Sequence, residues 1–153
     1  MLSVVAAGFA IGLGVLELRD DDPLDAAARE DAVAPAGQAA EALLSFRYDT
    51  LGQELESERS LMTDSYAAEF LNVFPEQAQD VTTEKQATVE SRVLAAAPLE
   101  CGEECSDTSV RVLVFLNTET TVAGEAPEVA PNRAVITMQP DDGEWRVAGI
   151  DLF

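Results

Sequence analysis

Few side chains in this sequence can do covalent or acid–base chemistry. The thiols are Cys101 and Cys105, four apart in ECGEEC, and histidine is absent. Lack of His removes the side chain most often used as a base near neutral pH and the commonest metal ligand. It also removes any Ser-His-Asp or Cys-His arrangement. Carboxylates such as Asp49, Asp64 and Asp151 remain, with Tyr48 or Tyr66 as helpers. Each acid has a plainer use: Asp49 and Asp64 fall where helix N-caps are wanted, and Asp151 alternates to an outer face of the last strand. We therefore expect no catalytic residue, no cofactor and no metal site, and read the chain as a non-enzyme.

The cysteine spacing, with Gly102 between, can close a small loop, and a disulfide is the natural use of such a pair in an oxidising compartment. A metal site would need further soft ligands. Redox chemistry fits less well, because the spacing is not Cys-x-x-Cys and Glu100, Glu103 and Glu104 disfavour the thiolate. The pair reads as a staple at a hairpin tip, which places the domain outside the cytoplasm. The run Asp20 to Asp22 lacks the spaced ligands and glycine of a calcium loop and reads as a solvated spacer.

These residues are positioned by elements that begin with an apolar run. From Leu2 to Leu16 the one polar side chain is Ser3; as a helix the run rises about 22 Å, against about 30 Å of bilayer hydrocarbon. A cleaved signal would want a basic start and a small-x-small site, and neither is present. An uncleaved single-pass anchor over residues 1–18 is favoured over a signal peptide, and both over a core helix. A basic cytoplasmic tail upstream of Met1 is expected. Gly8 and Gly12 form a G-x-x-x-G pair suited to helix packing in lipid.

Nine Lys plus Arg against 29 Asp plus Glu give a formal charge of −20 over 153 residues. Such a surface repels phosphates, so nucleic acid is excluded as a partner. Residues 19–23 form an acidic spacer with a helix start at Asp22 and Pro23, and 24–153 form one domain. An alanine-rich stretch from Leu24 to Tyr48 should break near Val33 because of Pro35. Asp49 and Thr50 can cap a short second helix. Thr63 or Asp64 can cap a third, in which Tyr66, Phe70, Leu71 and Phe74 recur at helical spacing before Pro75.

Alternation follows. Ala87, Val89, Ser91, Val93 and Ala95 share one side of a first strand that ends at Pro98. A second strand, Ser109 to Val122, is apolar on both faces and should be central. After a loop AGEAPEVAPN come a third strand, Arg133 to Gln139, a PDDG turn and a closing strand EWRVAGIDLF. About three helices followed by four mainly antiparallel strands make an α+β domain.

The segments LLSFRYDTLGQEL, YAAEFLNVF and RAVITMQPDDGEWRVAGIDLF, with Tyr48, Asp49 and Leu51 at a helix junction and Trp145 with Val147 in the last strand, resemble the Mce-associated membrane proteins of actinobacteria. That resemblance implies an N-terminal single-pass helix and a cone resembling nuclear transport factor 2 (NTF2-like) and SnoaL-like proteins. The family usually carries a longer, often basic segment before the membrane helix, and does not require the CGEEC insertion. It implies a cell-membrane protein with an extracytoplasmic C-terminal domain. Its role would be accessory, stabilising or regulating an Mce-type lipid or sterol importer, with Mce subunits as partners and a lipid as candidate ligand. No catalytic residue carries over. Tyr48, Phe115 and Trp145 are the candidates for docking or for a cavity. Two rivals stand beside it: a SnoaL-like small-molecule-binding or catalytic cone, and an NTF2-like scaffold subunit of a secretion or conjugation system.

Overall fold

A computed structural model describes residues 24–78, 80–100 and 108–153. The anchor run with Gly8 and Gly12, the acidic spacer, and Cys101 with Cys105 lie outside the described residues. Among the described residues no helix is long and apolar enough to cross a membrane.

Helix α1 (Ala26–Asp31) starts behind Asp25, whose carboxylate accepts the Ala28 N–H at 2.8 Å. The start is thus Asp25 and not Asp22 with Pro23: Asp25 is the acid whose oxygen reaches a free first-turn donor. The chain breaks at Ala32, as Pro35 requires, and α2 (Val33–Leu43) takes Pro35 into its first turn, where no N–H is needed. Its buried face is small, made of Ala36, Ala39, Ala40 and Leu43. A Cβ on Gly37 would lie 3.8 Å from Val93 Cγ1, so the helix sits close against the sheet. Then come β1 (Phe46–Arg47), α3 (Leu51–Ser57), a 3-10 turn Arg59–Leu61, α4 (Asp64–Gln77) and a π-helical turn Asp80–Glu84. Thr63 caps α4, its hydroxyl accepting the Tyr66 N–H at 3.3 Å. α4 runs past Pro75, which falls in its last turn and so costs the helix little more than the fraying end it already has.

The sheet is an antiparallel meander in the order β1-β2-β3-β4-β5, with β2 Thr88–Pro98, β3 Val110–Thr121, β4 Glu128–Asp141 and β5 Glu144–Leu152. β3 is central, as its two-faced apolarity predicts. The fifth strand, β1, pairs Phe46 with Val89 and Arg47 with Thr88; two residues are too few to show a period. β4 begins five residues before the expected Arg133. Pro131 is tolerated there because β5 pairs only from Ala134 onward, which leaves the outer edge at 128–132 without a ladder partner. The β4–β5 turn has φ of 50° at Asp142 and 81° at Gly143, the I′ geometry that an Asp-Gly pair favours.

One expected phase is wrong. β2 carries a bulge between Val93 and Ala95, so Val89, Ser91 and Val93 face the helices whereas Ala95 is exposed and Ala96 turns inward. One extra residue reverses a two-residue period. The core lies between the helices and one face of the sheet; Leu43, Leu55, Met62, Leu116, Ile136 and Met138 are among its largest fully buried side chains, each worth about 1.5–3 kcal/mol of apolar transfer.

Beyond β1, the free side of β2 is sealed by side chains. Ser45 Oγ accepts the Ser91 N–H at 2.9 Å and Glu41 Oε1 accepts the Val93 N–H at 2.7 Å. The end of α2 therefore stands in for a missing strand and closes an edge that could pair with another chain.

Candidate functional site

A cleft of about 480 Å³ lies between the C-terminal part of α4 and the open end of the sheet. Phe46 and Phe74 meet edge to face at 5.5 Å on one wall, and Phe74 stacks on Phe70 at 4.7 Å. These rings are held there because α4 repeats an aromatic every four residues and β1 turns Phe46 inward. Val89 and Leu116 contribute apolar floor.

Polar groups on that floor are already committed to one another. Ser91 Oγ donates to the Leu44 carbonyl at 2.8 Å and lies 3.3 Å from Thr118 Oγ1, which accepts from Asn132 Nδ2 at 3.0 Å. This chain crosses β2, β3 and β4, so it ties strands together without presenting a reactive group. At the mouth stand Thr120, Glu128 and Lys85, the sole lysine of the sequence. A second cleft of about 230 Å³ adjoins through Leu44, Phe74, Gln77 and Leu152 and is walled by Tyr66 and Ile150. Burial pushes the Tyr66 phenol up to about 12, partly opposed by the backbone at Ile150. Such a lining suits the apolar body of a small amphiphile, and its volume lies within the usual range of about 300–1,000 Å³ for ligand sites.

None of the expected docking or cavity residues lines this cleft. Tyr48 sits in the turn after β1, 44% exposed. Phe115 is 45% exposed on the outer face of β3, between the buried Val114 and Leu116. Trp145 packs against the main core on the inner face, in phase with Val147. Phe115 and Trp145 thus lie on opposite faces of the sheet and do not form one surface. Phe46, Phe74, Thr118, Asn132 and Lys85 are the cleft residues that sequence reasoning missed. Ser91 and Thr118 did leave a signal, as hydroxyls in the inward phase of otherwise apolar strand faces.

The carboxylates weighed for acid–base work are dispersed. Asp49 pairs with Arg47 at 3.3 Å, Asp64 opens α4, and Asp151 is exposed opposite Val135. Capping of α3 differs from expectation: Thr50 makes no side-chain cap. Instead Glu54 accepts the Thr50 hydroxyl at 2.8 Å and the Arg47 N–H at 2.9 Å, fixing the turn from inside the helix. Glu58 has its carboxyl raised by burial and by the charge of Glu54. Among the described residues no group of three or more acidic or cysteine side chains is placed to hold a metal.

No protein-family model matches the chain. A Mycobacterium tuberculosis protein named outer membrane protein Rv1973 is 33% identical over 153 residues, spanning 97% of this chain and 91% of that protein. In fold, the chain is similar to the periplasmic domain of DotI, with TM-score 0.65 at 18% identity over 78% of this chain and 91% of that one. It is also similar to CagV of Helicobacter pylori, a VirB8 homologue of a type IV secretion system, with TM-score 0.61 at 10% identity over 78% and 93%.

Proposed function

The chain belongs to the family of the mycobacterial outer membrane protein Rv1973, and from that premise we propose that it is a membrane-associated scaffold or accessory subunit of a multi-protein envelope assembly. It acts by contact and catalyses nothing. The observation that carries this reading is the match of its α+β domain, over most of both chains, to periplasmic domains such as those of DotI and CagV. The site agrees: the cleft's polar floor is spent on internal hydrogen bonds, and Asp49, Asp64 and Asp151 sit apart on other parts of the surface.

Two assemblies are candidates. The secretion-type scaffold is favoured by the solved structures. The Mce-type lipid importer is favoured by the resemblance of Leu43–Leu55, Tyr66–Phe74 and Arg133–Phe153, and by an apolar cleft that suits a lipid chain. In either case the domain is extracytoplasmic and residues 1–18 anchor it. Affinity purification of the full chain from its native membranes separates the readings. Permease, ATPase and lipid-tunnel subunits in the eluate identify the importer, and secretion-channel components identify the scaffold. Recovery of the chain alone, from membranes solubilised without disrupting complexes, sinks the proposal.

A further inference from the structure

The outer face of the sheet, turned away from every helix, differs in character from the rest of the molecule. Register and alternation place Arg92, Ala95, Ala97, Arg111, Leu113 and Phe115 there, with Arg133 directly opposite Phe115 and Val135 opposite Leu113. Phe115 is 45% exposed at the centre, whereas Val135 beside it is 3% exposed. Gly149 lies across from Thr137, and its absent side chain leaves that flank low. The result is an aromatic knob on a smooth apolar floor with an arginine on each side.

Charge makes this face unusual. The chain carries nine basic residues and a net charge of −20, yet three of the nine stand here without an ion-pair partner among the described residues. The other arginines among the described residues are engaged: Arg47 with Asp49, Arg59 with Glu56, Arg29 with the Leu24 carbonyl, and Arg146, at the end of this face, with Asp141 and Glu144. Arg92, Arg111 and Arg133 have no ion pair or side-chain hydrogen bond among the described residues. The acids of this face are peripheral: Glu90 opposite Glu119 toward one end, Asp141 and Glu144 around Arg146 toward the other, and Asp151 on β5. Three guanidinium groups kept free around an exposed phenyl ring resemble the centre of a protein interface, where Arg and aromatic residues supply most of the energy.

We propose that this face docks a protein partner of the envelope assembly, one that presents carboxylates around an apolar socket for Phe115. Guanidinium forks select carboxylates, with which they form bidentate, charge-assisted bonds. The overall charge narrows the choice. A body of −20 repels an anionic bilayer and a second copy of itself, so the partner is neutral or basic overall and acidic at the contact. The inference rests on the accessory reading above and adds to it a surface and a chemistry.

The test uses the full chain in its native membranes, with a photo-cross-linking phenylalanine analogue at position 115. The expected result is a cross-link to one other protein, through a segment containing Asp or Glu. Its yield should fall at least tenfold when Arg111→Glu and Arg133→Glu are introduced together. Arg59→Glu, in the 3-10 turn and paired with Glu56, should leave the yield unchanged. Circular dichroism and thermal melting of the purified full chain check that the outward substitutions leave the fold intact. Cross-linking only to lipid or to a second copy overturns the proposed partner. Undiminished co-purification in the double variant overturns the face while leaving the accessory role standing. No partner for the wild-type chain overturns both.

Discussion

Glu41 shows how much one side chain on a helix can do for a sheet. Its carboxylate takes the Val93 N–H at the point where the β2 bulge interrupts the ladder. Removing the acceptor leaves a partly buried donor unpaired, a loss of about 1–3 kcal/mol. Glu41→Ala should therefore lower the unfolding free energy from denaturant titration by that amount, and Glu41→Gln, which keeps an oxygen, should recover most of it. Equal losses for both variants would show that the charge, and not the hydrogen bond, matters. Tyr66 makes a separate prediction about pH. Its phenol is raised from 10.0 to about 12, chiefly by burial. Between those values the native state keeps a proton that the unfolded chain gives up, so stability is full below pH 10 and declines as pH rises through the window. Tyr66→Phe should flatten that decline relative to wild type when unfolding is compared at pH 9 and 11.5. Parallel losses in the two proteins would refute the assignment.

Elements depend on chemistry that is partly local and partly not. The β4–β5 hairpin is local: Asp142 and Gly143 both adopt positive φ, and no atom lies within 4 Å of a Cβ placed on Gly143. Gly143→Ala therefore meets strain alone, about 1–2 kcal/mol for a left-handed residue. A melting temperature unchanged by the substitution would mean that the turn relaxes to another type. This turn was legible in PDDG, as were the central place of β3, the break before Val33 and the aromatic face of α4, because each follows from spacing within one segment. The β2 bulge was not, since alternation says nothing about an inserted residue, and Ala95 was placed inward for that reason. Nor was β1, whose Phe46 and Arg47 become a strand only when Val89 and Thr88 arrive. The cleft lies between these cases. Ser91 falls inward by alternation, which places it on the floor without marking it as part of a cleft, whereas Phe46 and Phe74 meet through tertiary packing that no local pattern encodes. Phe115 and Trp145 likewise looked alike in sequence and proved to face opposite sides.

At the scale of the whole molecule the dominant fact is unbalanced charge. With 29 acidic residues against nine basic ones, most carboxylates have no cation to meet. The four ion-pair contacts among the described residues involve only Arg47, Arg59 and Arg146. Such exposed pairs contribute about 0–1 kcal/mol each, so they cannot offset the mutual repulsion that compaction brings. That repulsion is screened by salt, because the Debye length falls from about 30 Å at 0.01 M to about 3 Å at 1 M. The domain should therefore melt at a higher temperature in 0.5 M than in 0.01 M sodium chloride, and potassium chloride should give the same gain at equal ionic strength. A melting temperature that stays flat or falls with salt would mean that repulsion is relieved within the fold. The same physics bears on docking. A partner approaching any other side meets a negative field, whereas one approaching the face of Arg92, Arg111 and Arg133 meets unpaired guanidinium groups. The charge that weakens the fold thereby helps to direct contact to one surface.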